Sequence, residues 1–307
     1  MGKVPDNTTF AALSLPGTHD SMSFQSYDIE LAHCQSITLQ GQLQSGIRAL
    51  DIRCRHIDNA CAIHHGQIYL DASLDDVFQT IQFFFLHHSK EAIFMRIKGD
   101  EEKPFNNTRT WDETLAAYKL KYESLIWNGD IKSGTIPELR DIRGKIIIDD
   151  TTASPWGSSF NVQDEFKVST MWNLYDKWSR VKHQLQLSTA TGQSDIGNTI
   201  FVNFLSGVSP FGLVNPWFVA SGHAHSRVDS DFRNTGVSSA TDLWPDFPRR
   251  DCTANSMCSI FFKGINYLFY DHVKAARKTS STSQHLGIVY ADFPGKDLIE
   301  LIIQQNM

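Results

Sequence analysis

Apolar residues recur along this chain in two alternating rhythms. Short β-branched or apolar runs read as strands at Ala11–Leu15, Ile47–Arg53, Ala60–His64, Ala92–Ile97, Lys145–Ile148, Ile200–Phe204 and Gly287–Ala291, each ending on turn or polar residues. Between them the spacing changes to that of a helix. The clearest case is Ser73–His88, which puts Leu74, Val77, Phe78, Ile81, Phe84, Phe85 and His88 on one stripe, and Ser73-Leu-Asp-Asp76 is a capping-box start for it. Thr110–Trp127 and Ser169–Leu187 read as two further helices, the first ending near Asn128-Gly129. Strands that alternate with helices over a whole chain predict a parallel sheet, and with this many strands closure into a barrel is natural. The stretch Asn203–Asp251, rich in Gly, Ser, Pro, Asn and aromatics, reads as a set of long loops of the kind that build barrel sites.

Composition narrows the picture. A length of 307 residues allows about two domains on average, but α/β barrels reach this size as one. No linker, charge block or repeat divides the chain, so one domain over residues 1–307 is expected. With 41% hydrophobic and 11% aromatic residues, intrinsic disorder is excluded. A net charge of −6, with no basic stripe, argues against a nucleic-acid binder. The longest nearly apolar stretches, Ile81–Leu86, Phe211–Ala220 and Ile265–Tyr270, fall far short of the ~20 residues of a transmembrane helix. The N-terminus carries no apolar signal region, and Asp6 stands where a myristoylation motif wants Ser or Thr.

The 5 cysteines are too few and too odd in number for a disulfide scaffold. Cys54 and Cys61 can face each other across a hairpin and Cys252 and Cys258 can close a small loop, or all of them can be reduced, partly buried thiols. With no C-x-x-C pair, a structural zinc site is not expected.

Candidate chemistry gathers at the strand ends. Leu15-Pro-Gly-Thr-His-Asp20 closes the first strand, Asp51-Ile-Arg53 the second and His64-His65-Gly66 the third, while Lys98 and Asp292 follow two later ones. Barrel enzymes collect their catalytic groups at the C-terminal ends of the strands, so these residues converge on one mouth. Asp51 and Arg53, two apart, share a strand face. Two histidines, several carboxylates, an arginine and a lysine in one cavity suit attack at a phosphate. A neutral histidine removes a proton, a protonated one supplies a proton to the leaving oxygen, and a cation stabilises the developing charge.

Leu15-Pro-Gly-Thr-His-Asp-Ser21, Gly46-Ile-Arg-Ala-Leu-Asp-Ile-Arg53 and His64-His-Gly66 together resemble the bacterial-type phosphatidylinositol-specific phospholipases C (the PI-PLC X-domain family). The likeness continues through Glu91–Lys98, Arg143-Gly-Lys145, Asn161-Val-Gln, Phe201-Val-Asn-Phe204 and Leu286–Asp292. It implies a distorted, incompletely closed TIM (β/α) barrel that cleaves phosphatidylinositol to diacylglycerol and inositol 1,2-cyclic phosphate. On this resemblance His19 is the general base and His65 the general acid, with Asp292 and Asp20 as their respective carboxylate partners. Arg53, placed by Asp51, grips the phosphate, while Lys98 and Asp164 hydrogen-bond the inositol hydroxyls. Two positions depart from the family's pattern. The arginine usual after the Gly-Lys-apolar strand is missing, since Lys145-Ile-Ile-Ile148 runs into Asp149-Asp150-Thr151, and Phe166 stands where a tyrosine stacks on the inositol ring.

The same residues bear on cofactor and partner. Metal-dependent relatives of this barrel place Glu-x-Asp where Asp51-Ile-Arg53 stands here, so the guanidinium replaces a divalent cation and no metal or other cofactor is expected. His223-Ala-His225 lacks a placed third ligand. The expected partner is a phosphatidylinositol lipid at a membrane surface, met by a monomer. Phe211, Trp217, Phe218, Trp244 and Phe247 can either dip into that interface or cover the barrel core. The resemblance implies export, whereas the N-terminus taken alone is compatible with the cytoplasm. Two other classes stay open: a metal-dependent phosphodiesterase of the glycerophosphodiester phosphodiesterase or sphingomyelinase D type, disfavoured by Arg53, and a silent inositol-lipid-binding module, disfavoured by the intact histidine–carboxylate set.

Overall fold

The computed structural model describes residues 1–24, 32–99, 105–150, 156–190, 197–209, 214–222, 263–279 and 284–307. Its strands are β1 (Leu15–Thr18), β2 (Ala49–Ile57), β3 (Ala60–His65), β4 (Ile68–Ser73), β5 (Ile93–Gly99), β6 (Ile146–Asp150), β7 (Phe160–Gln163), β8 (Ile200–Phe204) and β9 (Ile288–Ala291). The helices are α1 (Leu39–Gln44), α2 (Leu74–His87), α3 (Trp111–Lys121), α4 (Leu139–Ile142), α5 (Leu174–Ala190), α6 (Pro216–Ser221), α7 (Ile265–Thr279) and α8 (Lys296–Ile303).

Seven strands pair in parallel in the order β7-β8-β9-β1-β2-β5-β6. Between β6 and β7 no pairing occurs among the described residues, so the barrel stays open there, as expected. β2 explains the distortion. Its first half is buried on both faces between β1 and β5, and its second half turns away to pair antiparallel with β3, which pairs in turn with β4. The residues follow this division: Ala49–Ile52 are all buried, as in a central parallel strand, whereas burial alternates from Arg53 onwards, as in a hairpin with one wet face. Gly17 is required by close approach, because a Cβ there would stand 2.8 Å from the Tyr290 ring and 2.9 Å from Ala49 Cβ.

Several sequence expectations shift at their edges. Ala11–Leu15 does not form a strand: Phe10–Ala12 is a 3-10 turn, and pairing begins only at Leu15, opposite Ile288. Phe10, the first residue of that turn, packs in the core against Phe94. The helix expected over Thr110–Trp127 stops at Lys121, because Ile126 bridges to Ile146 and Trp127 N donates to Ile146 O, drawing the chain alongside β6. The helix expected from Ser169 begins as a 3-10 turn at Met171–Asn173 and becomes α5 at Leu174. The expected long loop over Asn203–Asp251 contains α6, started by Pro216 at the head of the helix. Phe218 on α6 is 2% exposed within the α5–α8 core, so it is not an interface residue, and Trp217 packs partly buried on the same cluster. Phe211, Trp244, Phe247, His223, His225, Cys252 and Cys258 lie outside the described residues.

The expected helix over Ser73–His88 forms as α2, and Asp76 accepts hydrogen bonds from both Ser73 N (2.8 Å) and Ser73 Oγ (2.6 Å) in the capping box. Its apolar stripe packs with β3, β4 and α3 in one core cluster. A second cluster lies under α5–α8, and a third, with Phe94, Phe204 and Tyr290, fills the barrel.

Two devices stiffen the mouth. Cys54 on β2 and Cys61 on β3 form a disulfide, one of the pairings left open by the sequence. On the open side, Lys177 of α5 is buried and donates to Phe204 O (2.6 Å), Glu165 O (2.7 Å) and Gln163 Oε1 (3.4 Å), tying the ends of β7 and β8.

Closing an eight-residue loop, the disulfide contributes about 2.5 kcal/mol on a chain-entropy basis. A Cys54→Ala/Cys61→Ala variant should lose about that much in urea unfolding. Reductant should destabilise the wild type to the same level and leave the variant unchanged. Burial pushes the Lys177 ammonium down to about 7. The unfolded chain therefore binds more protons than the folded one from about pH 7 up to the ordinary lysine value of 10.5, and stability should rise with pH across that window. In Lys177→Met the rise should vanish, which unfolding midpoints at pH 7 and pH 9 would read directly.

Candidate active site

The first strand sets the site. Beyond Thr18 the chain turns sharply, and Asp20 takes a left-handed backbone with φ 42°, a conformation that aspartate tolerates better than most residues. The turn aims neighbouring side chains at opposite sides of the mouth. His19 Nδ1 lies 2.7 Å from Asp292 Oδ1, just past β9. Asp20 Oδ2 lies 2.5 Å from Nδ1 of His65, at the end of β3.

β2 and β5 supply the charges between these two pairs. Their parallel register sets Asp51 beside Arg96 and Arg53 beside Lys98. Asp51 is buried, and its Oδ2 accepts from Asp20 N and from Arg53 Nε, both at 3.1 Å, while Oδ1 accepts from Arg96 at 3.4 Å. Burial alone would raise the Asp51 carboxyl, but Arg53 and Arg96 beside it hold it well below the usual carboxylate range. Asp51 is therefore the fixed anion that places the two guanidinium groups.

Arg53 fixes the tautomer of His19. Its terminal NH2 lies 2.6 Å from His19 Nε2, and a guanidinium can only donate. Nε2 must then carry the lone pair, and Nδ1–H donates to Asp292. His19 is thus a neutral imidazole oriented by a carboxylate, with its basic nitrogen towards the cation that would meet a phosphate.

His19, Arg53, His65, Lys98, Asp164, Phe166 and Asp292 all line one cavity of about 150 Å³, with Ser206, Gly207, Val208, Pro216 and Cys34 completing its wall. Asp20 and Asp51 stand behind this lining, holding residues that form it. Phe166, 49% exposed, forms part of the rim. Of three larger hollows, those at the base of the barrel and between α6, α7 and α8 contain no histidine, and the one between β7 and α5 contains a single one, His183.

Two residues escaped the sequence reading. Arg96 is buried inside the barrel, reaches Asp164 Oδ2 at 3.4 Å as well as Asp51, and lies over the rings of Trp156 and Phe204. The signal was present, since Arg96 and Lys98 repeat on β5 the i, i+2 spacing of Asp51 and Arg53. Cys34 carried no such signal: it follows no strand and reaches the site only through the fold.

A family model, "Phosphatidylinositol-specific phospholipase C, X domain", matches residues 13–152. The 1-phosphatidylinositol phosphodiesterase of Listeria monocytogenes is 32% identical over 277 residues, which span 83% of this chain and 82% of that protein. The chain belongs to the bacterial-type phosphatidylinositol-specific phospholipase C family. A 1-phosphatidylinositol phosphodiesterase of Staphylococcus aureus is 26% identical over 289 residues, covering 80% of this chain and 89% of its own length. The fold agrees: the structure of a phosphatidylinositol-specific phospholipase C from Listeria monocytogenes superposes with a TM-score of 0.72 over 100% of this chain and 97% of its own, at 24% identity. His19, Arg53, His65, Lys98 and Asp292, which lie in the motif blocks of the sequence, all line the cavity at the mouth.

Arg96→Met would leave Asp51 with one cation instead of two and strip Asp164 of this ion pair. Breaking a buried ion pair from one side costs about 3–5 kcal/mol, and Arg53 retains part of the compensation. A loss of about 2–4 kcal/mol in urea denaturation is expected, while a change within ~0.5 kcal/mol would show that Arg96 does not hold these carboxylates.

Proposed function

We propose that this chain cleaves phosphatidylinositol as a metal-independent diacylglycerol-lyase, releasing diacylglycerol and inositol 1,2-cyclic phosphate. The observation that carries the reading is the pair of opposed histidine–carboxylate dyads, His19–Asp292 and His65–Asp20, with Arg53 donating to His19 Nε2 between them. A substrate phosphate entering the cavity takes over the Arg53 donors, and the inositol 2-hydroxyl replaces Arg53 at His19 Nε2. His19 removes the hydroxyl proton, O2 attacks phosphorus, and the bond to the diacylglycerol oxygen breaks as His65 protonates that oxygen. Asp292 stabilises the imidazolium formed at His19, much as the carboxylate does in a Ser-His-Asp triad. Arg53 stabilises the charge on the pentavalent phosphorus, its planar fork meeting two oxygens at once. Lys98 and Asp164 hold the inositol hydroxyls, and Phe166 offers an apolar face to the ring.

The state of Asp51 supports metal independence. Both of its oxygens already accept hydrogen bonds, two of the donors being guanidinium groups, so a cation at this strand end would face charge of its own sign. The cavity takes lining residues from His19 near one end of the sequence to Asp292 near the other, which supports one domain over residues 1–307 as the working unit. The half-exposed Phe166 at the rim supports approach to a lipid surface. The Cys54–Cys61 disulfide supports an oxidising compartment, consistent with export.

Phosphatidylinositol vesicles incubated with the protein in EDTA and followed by phosphorus NMR test this reading. A cyclic phosphodiester signal is expected under chelation. Turnover only with added metal, or binding without turnover, would overturn it. His19→Ala and His65→Ala should each lower kcat by at least ~10²-fold, and near-normal turnover in either would remove that histidine from its role.

A further inference from the structure

Cys34 lies between the two dyads and has no part in the proposed chemistry. Its side chain is fully buried, yet it forms part of the cavity wall. Its backbone is pinned from both sides: Cys34 N donates to Ser23 on the β1 side, and Phe293 N, just past β9, donates to Cys34 O. In one direction the Sγ, a His19 ring nitrogen and an Asp292 oxygen lie within 4.8 Å of one another, and in the other direction Sγ makes the same arrangement with His65 and Asp20.

A second, independent feature points to a ligand. Asp292 Oδ2 and Asp20 Oδ1 are buried and accept no hydrogen bond among the described residues. Two unsatisfied carboxylate oxygens beside one thiol leave lone pairs that water does not reach and that protein donors do not fill. Burial and the neighbouring Asp292 and Asp20 charges push the Cys34 thiol up, so it stands as a protonated thiol until something replaces its proton.

We propose that Cys34, with a ring nitrogen and a carboxylate oxygen from one of the two His–Asp pairs, forms an inhibitory binding site for a soft divalent cation of the zinc class. Thiolate, imidazole and carboxylate are the donors that zinc prefers, with bonds of about 2.0–2.3 Å. Tetrahedral geometry then needs ligand atoms about 3.3–3.7 Å apart, so side-chain shifts of about an ångström complete the site. Magnesium and calcium, which take oxygen ligands, gain nothing from the sulfur. The charges balance, because one thiolate and one carboxylate neutralise the dication around a neutral imidazole. Arg53 sits on the Nε2 side of His19, which leaves the Nδ1 side, next to Asp292, for the ion.

The step is balanced in protons. The cation displaces the thiol proton, which is released to solvent. When it takes His19 Nδ1, the proton on that atom shifts to Nε2, Arg53 must withdraw its donor from that nitrogen, and the ring loses the lone pair on which the proposed reaction depends. Binding at the His65 side acts differently: it occupies one ring nitrogen and keeps the imidazole from taking up the second proton that a proton donor needs. Either arrangement stops turnover without any contact to the lipid.

The site rests on the geometry alone, and its test is separable from the phospholipase reading because binding is measured apart from turnover. Zinc chloride is titrated into the full-length protein by calorimetry in two buffers of different ionisation enthalpy, and cadmium chloride is followed by ultraviolet absorption of the thiolate–metal bond. One tight equivalent with release of about one proton is expected, along with a cadmium–thiolate band. Cys34→Ser and Cys34→Ala should each weaken zinc by at least ~10-fold, whereas Cys252→Ser/Cys258→Ser should keep both the affinity and the cadmium band. Phosphatidylinositol turnover should fall as the equivalent is filled, return with EDTA, and be unaffected by magnesium or calcium. The proposal is overturned by the absence of a tight equivalent, by unchanged affinity in folded Cys34 variants, or by loss of binding in the Cys252/Cys258 variant. A missing cadmium band in that last variant, which needs no change at Cys34, would overturn it equally.

Discussion

Asp51 is an anion placed where water cannot reach it, and the mouth of the barrel is organised around satisfying it. Its carboxylate takes Asp20 N, Arg53 and Arg96, while its backbone exchanges hydrogen bonds with Ser21 in the turn after β1. Each donor is a structural element in its own right. Asp20 N fixes the left-handed turn that splits His19 from Asp20, Arg53 reaches His19, and Arg96 reaches across the barrel to Asp164. A buried carboxylate left with fewer partners costs several kcal/mol, so these donors cannot be loosened one at a time without consequence. The rigidity that catalysis needs therefore follows from electrostatic necessity, not from packing alone.

The scaffold explains why the two histidines can oppose each other at all. His19 belongs to the closed part of the barrel, between β9 and β2, where parallel strands are packed on both faces. His65 belongs to a hairpin that leaves the barrel halfway along β2. A hairpin alone is a weak support for a proposed proton donor, because one face is wet and two-stranded ribbons are marginal. Here it is held by the Cys54–Cys61 crosslink, by α2 packed behind it, and by the His65–Asp20 contact back to β1. The arm of the proposed acid is thus stabilised by a covalent bond and that of the proposed base by the sheet.

The sequence made the site more legible than the fold. Asp51-x-Arg53 and His64-His65-Gly66 carry their chemistry in residue type and spacing, and all nine residues singled out from the sequence fall on or directly behind one cavity wall. β4 and β7 were hidden because they are short and only partly buried, so neither shows clean alternation. α8 was hidden by the opposite problem, a compact apolar cluster whose Ile299 faces one core while Leu298, Leu301 and Ile302 face another. Ala11–Leu15 looked like a strand because its apolar content was visible and the absence of a pairing partner before Leu15 was not. Cys34 and Arg96 depend on long-range approach: one joins the site through loops, the other through the β2–β5 register.

The chain carries a net charge of −6, yet its proposed substrate is an anion, and the resolution lies in how the cations are held. A global positive field would attract phosphate anywhere on the surface, without orientation. In this cavity Arg53 is aligned by Asp51 and Lys98 stands beside it through the parallel register, while Arg96 is kept back by two carboxylates and two aromatic faces. Arg96 is thereby largely neutralised as a phosphate ligand and acts on geometry, leaving Arg53 as the guanidinium that meets His19. Local charge of this kind works at short range in a low-dielectric pocket, where it is strong, and adds little in solution, where ions screen it. Recognition of the lipid must then begin with contacts other than long-range attraction, and the electrostatic discrimination comes last, at the bottom of the cavity, where the bond is broken.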